Sequence, residues 1–561
     1  MARRPVILLV LLTALFILSN CVKPLHGDDG VYQRYAAQIA QHPLDPYGFS
    51  FNGEPANHTL APPVSLYWWG AGLRVWGDRP FLWKLWMWPF GALLVFSLFQ
   101  LFSRFAAPLQ MPLTWMTVLS PLILPAWNLM LDVPVLAVAL FSLAIFLRAY
   151  DRQSLVLAAA AGLVAGLAMQ TKYTAFLLPV LFLLYGFRFG QPRLACTAAA
   201  LPVLFFVAVE ALLAWRYGES HFLYALGQRH GGFAARLGRL LLPLVAMAGG
   251  AAPGVALLGL AALGRGRRAV CAAGAGVALG YALLAAVPEH YAVFLREAQT
   301  GKPLFTLNNV IFGSLGAWVL GTVCAVAWRL QSSTPTEGDT DSRSTGFLLG
   351  WLALELALYF LISPLPGARR IMGMALAATL VAGRLASRTC TAGPPWAVRA
   401  AAVCSGAAGL LVYGIDLRDA WAGKQTIEAA ACWIRQHDDA TDVWYYGWDG
   451  LQFYGERAGM KSVPWLGWAV RPGDWYLVDS RVFRNPDPIA ARAQLVAELS
   501  AGDPIHLHTT LCYYAGSMPL QHHDGPRYTV KIYRVLRPLS PAMGPAPAAN
   551  PEPQPDALVS R

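Results

Sequence analysis

The run Arg3-Arg4-Pro5-Val6-Ile7-Leu8-Leu9-Val10-Leu11-Leu12-Thr13-Ala14-Leu15-Phe16-Ile17-Leu18, with Asp28-Asp29-Gly30-Val31-Tyr32-Gln33-Arg34-Tyr35-Ala36 a few residues beyond it, decides how the chain is read. Two arginines ahead of an apolar stretch near the ~20 residues of a bilayer crossing make a first span with a cytoplasmic start. A cleaved secretory signal ending near Ser19 to Cys21 is the competing reading of this pattern. Left uncleaved, the span delivers both aspartates to the outer side. Ionised carboxylates near hydrocarbon lose hydration, so acids kept there usually face a water-filled cavity and mark a substrate or ion path. Asp28 and Asp29 are therefore the leading candidates for chemistry. Their structural alternative is to cap the helix expected over Tyr32 to Gln41.

Composition agrees with a chain that lives mostly in lipid: 561 residues, 56% hydrophobic, 13% charged, with a mean hydropathy of +0.45. The formal charge of +12 lies largely in short loops between apolar runs, where it sets orientation, so no nucleic-acid partner is read from it. Further spans are expected at 81 to 103, 112 to 129, 133 to 149, 154 to 169, 174 to 187, 194 to 214, 240 to 263, 269 to 287, 310 to 329, 346 to 363, 371 to 387 and 400 to 415, about thirteen in all with the first. Alternating sides from a cytoplasmic start places Arg104, Arg148, Arg188, Arg265, Arg329 and Arg388 in inner loops, as the positive-inside rule requires. An odd miscount would move the last domain to the other side.

The expected organisation is a membrane domain over 1 to 415, a soluble outer α/β domain over 416 to 537, and a disordered Pro- and Ala-rich tail over 538 to 561. Within the second domain, Thr426 to His437 has helical periodicity, while Val443 to Tyr446, Trp475 to Val478 and Tyr528 to Val535 read as strands. The first outer loop, 23 to 80, is rich in aromatics such as Tyr67, Trp68, Trp69 and Trp76, which suits helices lying at the headgroup level. Cysteines show no zinc spacing; Cys432 and Cys512 share the outer domain and are a possible disulfide pair. His506 with His508, or His522 with His523, offers metal ligands without a third in view, so a solvated surface role is preferred.

The order of these elements resembles a family. A basic start, one span and Asp28-Asp29-Gly30-Val31-Tyr32 are followed by Pro62-Pro63-Val64-Ser65-Leu66-Tyr67-Trp68-Trp69 and Leu73-Arg74-Val75-Trp76-Gly77. Then come Asp132-Val133-Pro134, Gly166-Leu167-Ala168-Met169-Gln170-Thr171-Lys172-Tyr173-Thr174 and Arg369-Arg370. This is similar to the GT-C membrane glycosyltransferases of the family 39 type, which include the protein O-mannosyltransferases and the transferase that adds 4-amino-4-deoxyarabinose to lipid A. The resemblance covers most of residues 1 to 390. It implies a polyprenyl-phosphate sugar donor, an inverting transfer, Asp28 as catalytic base and Asp29 as its acidic neighbour, orienting the acceptor or binding a divalent cation. Lys172, Arg369 and Arg370 are the outer-side cations available to hold the leaving phosphate. The acceptor would be a glycolipid, glycan or protein group, and the setting a bacterial inner membrane with the last domain outside the cytoplasm.

Two departures limit the resemblance. The lipid A transferases carry basic residues where this chain has Val31 and Ala61, so those donor-phosphate contacts are either missing or supplied elsewhere, with His58 and Arg74 as the candidates. Asp132, His58, Tyr67 and Arg74 are accordingly candidate substrate contacts. Each candidate has a plainer role: Asp132 starts a helix before Pro134, and Lys172 anchors a span end by snorkelling. Arg369 and Arg370 stand on the outer side against the usual bias, which favours function. The rival class is a transporter or flippase of a lipid-linked saccharide, against which stand the absence of paired repeats and the clustering of charge at span ends.

Overall fold

The computed structural model describes residues 3–51, 54–58, 62–227, 233–264, 267–287, 295–296, 303–305, 307–332, 339–363, 366–389, 396–437, 441–447, 450–463, 470–479, 492–509 and 519–537. Cys512, and with it the disulfide considered for Cys432, lies outside the described residues, as do Ala61 and the tail from 538.

The chain is a polytopic helical membrane protein with a mixed α/β domain at its C-terminal end. Among the described residues nine helices are long and apolar enough to cross a bilayer, or ten if the bent pair Leu240–Ala251 and Pro253–Ala262 is one span. That corrects the expected thirteen. The run 112 to 129 is mostly not helical: a helix over Gln110–Val118 gives way to turns up to Leu131, in a stretch that contains Pro121 and Pro125. The runs 154 to 169 and 174 to 187 form the short helices Leu155–Met169 and Tyr173–Arg188. Even so, the short helices carry the chain between the two ends of the bundle. Asp132, at the start of the Asp132–Arg152 helix, meets Lys172 beyond the Leu155–Met169 helix, whereas Asp151 at the other end pairs with Arg104.

Small residues set the closest helix approaches, as expected where lipid offers no hydrophobic drive to association. A Cβ on Gly162 would stand 2.9 Å from the Ala198 carbonyl oxygen, and one on Gly316 of the Leu307–Ser332 helix would collide with that of Val245 in the Phe233–Ala251 helix. The helix of the last expected span does not end near residue 415. Trp396–His437 is one continuous helix of 42 residues whose C-terminal part enters the α/β domain. There Ile427, Ala430 and Ile434 share a core with Tyr445, Leu477, Tyr528, Val530 and Ile532, so the membrane and α/β cores are contiguous.

The sheet of that domain has five strands in the spatial order Lys461–Ser462, Val443–Tyr446, Trp475–Asp479, Tyr528–Val535, Ala493–Ala501. The first three are parallel and the last two pairings antiparallel. A two-stranded hairpin, Leu507–Thr509 with Leu520–His522, sits apart from it. The first loop folds into the helices Asp29–Gln41, Val64–Trp76 and Pro80–Trp86, with Trp68 stacked on Trp86 at 5.2 Å. It packs against the α/β domain: Tyr454 Oη accepts from the Leu25 N–H at 3.0 Å, and Arg457 pairs with Asp78 at 2.7 Å. The 23 to 80 loop and the C-terminal domain therefore share one end of the molecule.

Candidate functional site

Four chain segments converge at that end. Asp28 is the residue just before the Asp29–Gln41 helix, Asp132 opens the Asp132–Arg152 helix, Lys172 lies in the turn between two short helices, and Arg369 sits in a 3-10 turn, Ala368–Ile371, leading into Met372–Thr389. Arg369 Nη1 stands 3.2 Å from Asp28 Oδ2 and 3.7 Å from Asp132 Oδ2, and Lys172 is ion-paired with the other oxygen of Asp132. Asp132, Lys172 and Arg369 are largely buried, while the Asp28 side chain keeps 45% of its surface. Arg369 Nε is buried without a hydrogen-bond partner among the described residues, a donor held ready for an acceptor. Burial, together with Arg369 and Arg370 and against the attraction of Asp132, brings the Lys172 ammonium down to a pKa of about 8.

Asp132, Arg369 and Arg370 form the polar head of a cavity of about 100 Å³. Its remaining wall is almost wholly apolar, including Leu136, Leu140, Leu143, Leu178, Leu181 and Leu358, with Glu355 as an acid inside it. Cations at one end and leucines beyond them suit an anionic group followed by apolar carbons, in a space of about 100 Å³.

Asp29 goes elsewhere. It is fully buried, and its oxygens accept the Leu129 N–H at 3.0 Å and the His26 N–H at 3.3 Å, with Lys84 Nζ at 3.9 Å. Burial raises its pKa against the pull of Lys84, His26 and Lys23. Lys84 in turn donates to the Lys23 carbonyl at 2.6 Å, while Lys23 donates to the Pro125 carbonyl at 2.7 Å and is paired with Asp416, which His26 also approaches at 3.4 Å. This buried network pins the segment that presents Asp28. Sequence reading missed Lys23, Lys84 and Asp416; a lysine and an aspartate inside or at the edge of apolar runs were the signal.

The other candidates stand outside the four-residue cluster. His58 is paired with Glu219 and stacked on Tyr224, the Tyr67 hydroxyl donates to the Pro43 carbonyl at 2.7 Å, and Arg74 is exposed in the last turn of its helix. A separate group could hold a divalent metal. His506, His522 and Asp524 each bring a ligand atom within 4.8 Å of the others. Asp524 is the third ligand absent from the histidine spacing alone.

With a multi-pass helical domain, a charged cluster over an apolar cavity and an α/β domain at the same end, the chain can be set beside solved structures. It is similar, at 14% identity over 95% of this chain and 98% of the other, to ArnT from Cupriavidus metallidurans bound to undecaprenyl phosphate, with a TM-score of 0.42. The apo state of ArnT gives 0.38. The archaeal oligosaccharyltransferase AglB from Archaeoglobus fulgidus, in complex with an inhibitory peptide and a dolichol-phosphate, gives 0.44 at 13% identity, over 82% of this chain and 64% of that one. These are distant likenesses in the course of the chain. No protein-family profile matches, and no curated protein sequence does.

Proposed function

We propose that the chain is a membrane glycosyltransferase that moves a sugar from a polyprenyl-phosphate donor to an acceptor hydroxyl or phosphate at the outer membrane face, with inversion. The observation that carries this is the polar cluster of Asp28, Asp132, Lys172 and Arg369, of which Asp132 and Arg369 line, with Arg370, one end of an apolar cavity. The donor's phosphate lies against Lys172, Arg369 and Arg370, and its isoprenoid tail runs along the leucines. The accessible carboxylate of Asp28 takes the proton of the acceptor hydroxyl as its oxygen bonds to the anomeric carbon. The bond from that carbon to the phosphate oxygen breaks, and its electron pair leaves with the phosphate, where fixed cations oppose the growing charge. Arg369, shared between Asp28 and Asp132, couples the base to the phosphate end. Asp29 is assigned to holding the loop, and Asp132 to holding Lys172 and Arg369. The motif order running from Asp28 to Arg370 supports the same reading.

The test is a mass spectrum of envelope glycolipids and glycans from cells with the intact chain, the D28N chain and none. The expected result is one glycosylated species present only with the intact chain. A species that persists at full level with D28N removes Asp28 as base, and unchanged glycans in all three with altered sidedness of a lipid-linked saccharide would favour the flippase reading.

A further inference from the structure

The hairpin of the C-terminal domain carries a second polar centre that the transfer reaction does not use. His522 is buried, with Nδ1 3.1 Å from the Leu284 carbonyl oxygen and Nε2 2.8 Å from Asp524 Oδ1. A carbonyl can only accept, so Nδ1 carries the hydrogen and Nε2 turns its lone pair toward a carboxylate. Two lone pairs do not face each other at that separation: a proton bridges them at 2.8 Å, and a cation bound to both would hold the two atoms further apart. A proton needs only these two partners, yet a third ligand atom is close by: His506 brings a ring nitrogen within 4.8 Å of the other two, its ring lying beside that of His522 with centroids 5.5 Å apart and its carbonyl accepting the His523 N–H at 2.9 Å. The backbone carbonyl behind His522 is the outer-shell partner that fixes tautomer and ring direction in metal-binding histidines. Bonds of ~2.0–2.2 Å to a tetrahedral ion need ligand atoms roughly 3.4 Å apart, so on binding the 2.8 Å His522–Asp524 pair opens and the wider separations of the group, up to 4.8 Å, close, through rotation of the exposed His506 and Asp524 side chains.

We infer that His506, His522 and Asp524 bind a divalent transition metal of the zinc class, with a fourth position open to solvent. The place of the site gives the ion a task. Leu284 belongs to the last turn of the Arg267–Ala286 span, and Leu507 and Leu520 of the hairpin pack with Tyr281, Leu284, Phe312 and Val412. Next along the strand, Thr509 donates its N–H to Asp419 at 2.7 Å and its hydroxyl to Asp416 at 3.3 Å. Asp416 is the acid that holds Lys23 and His26, just ahead of Asp28. A bound ion therefore locks the hairpin to a span end and, through Thr509 and Asp416, steadies the loop that presents Asp28. That last link rests on the proposed role of Asp28; the metal site itself does not.

The full-length protein in detergent, stripped with EDTA and dialysed, is titrated with Co²⁺ and with Zn²⁺. One equivalent of Co²⁺ with the visible absorption of a four-coordinate nitrogen and oxygen site is expected, together with a Zn²⁺-dependent rise in the thermal midpoint. H506A and D524N, both on exposed positions that leave the fold intact, should weaken binding by at least ~10-fold and remove the thermal shift, whereas H437A should do neither. No stoichiometric binding by the intact chain, or equal binding by H506A and D524N, overturns the site and leaves an imidazolium–aspartate pair. Loss of metal binding can be scored without any transferase assay, so its outcome is independent of whether glycosyl transfer is found.

Discussion

Asp28 and Asp29 are neighbours in sequence but do different work. The first keeps nearly half its surface and faces Arg369, whereas the second has none and faces two backbone N–H groups and Lys84. D28N should leave the thermal midpoint in detergent near that of the parent while lowering turnover by at least the ~10²-fold typical of a lost general base. D29A strips a buried ammonium of its counter-ion and two amides of their acceptor, so it should destabilise by on the order of 3 to 5 kcal/mol, read by thermal or chaotrope unfolding. Equal stability of the two variants would show that Asp29 does not hold the loop. Lys172 adds a pH signature. With a pKa of about 8 against its ordinary 10.5, its charged form is disfavoured on folding; that cost is full below about pH 8 and is relieved as pH rises toward 10.5. In the proposed reaction the sign is opposite, because there the donor phosphate is held by the ammonium: the apparent KM for the donor should climb above about pH 8. K172R, always charged, should flatten that alkaline limb, and an unaltered limb in K172R would assign the titration to another group.

Elements explain both what was legible and what was not. The long spans could be read because a run of ~20 apolar residues has few other uses, and the strands Val443–Tyr446, Trp475–Asp479 and Tyr528–Val535 because bulky and β-branched residues lie in compact runs. Hydropathy does not register whether a run is one helix. It counted the turns after Val118 as a span, took the short helices Leu155–Met169 and Tyr173–Arg188 at the same weight, and could not show the 75° bend between Leu240–Ala251 and Pro253–Ala262. In sequence Asp416 reads as the start of the second domain; it and Asp419 are buried within the Trp396–His437 helix, where Lys23 and Arg527 pair with them. Of the site, Asp28, Asp132, Lys172 and Arg369 could be named from charge at span ends. Their meeting could not, since it depends on segments brought together from four parts of the chain. The 3-10 turn Ala368–Ile371 brings a sharper expectation for its two arginines, which point in different directions from successive positions. Both line the cavity. A charge-assisted contact to phosphate is worth about 1.5 to 3 kcal/mol, so R370A should raise the apparent KM for a polyprenyl-phosphate sugar by about 10- to 100-fold. R369A should in addition lower turnover, because Arg369 also touches Asp28. Unchanged donor kinetics in both would place the phosphate elsewhere.

At the scale of the whole molecule the decisive property is that the first loop and the C-terminal domain cover the same end of the helical bundle. Ties between the 23 to 80 loop and residues from 416 onward include Lys23 to Asp416, Leu25 to Tyr454, Arg34 to Glu456 and Asp78 to Arg457. None of these can form across a bilayer. The two regions must therefore be labelled together or protected together, whichever way the chain is inserted. Leu44 is 91% exposed and Gln436 is exposed near the end of the Trp396–His437 helix, so cysteines placed there in a cysteine-free background report on the two regions. With arginines at the start of the first span and in the loops opposite this end, the positive-inside rule puts both reporters outside. An impermeant maleimide added to intact cells should modify both, and permeabilisation should add little to either. Modification of Leu44→Cys alone would break the shared-end arrangement. Protection of both until the membrane is opened would keep the fold but turn the candidate site toward the cytoplasm, and with it the side from which the proposed donor and acceptor would come.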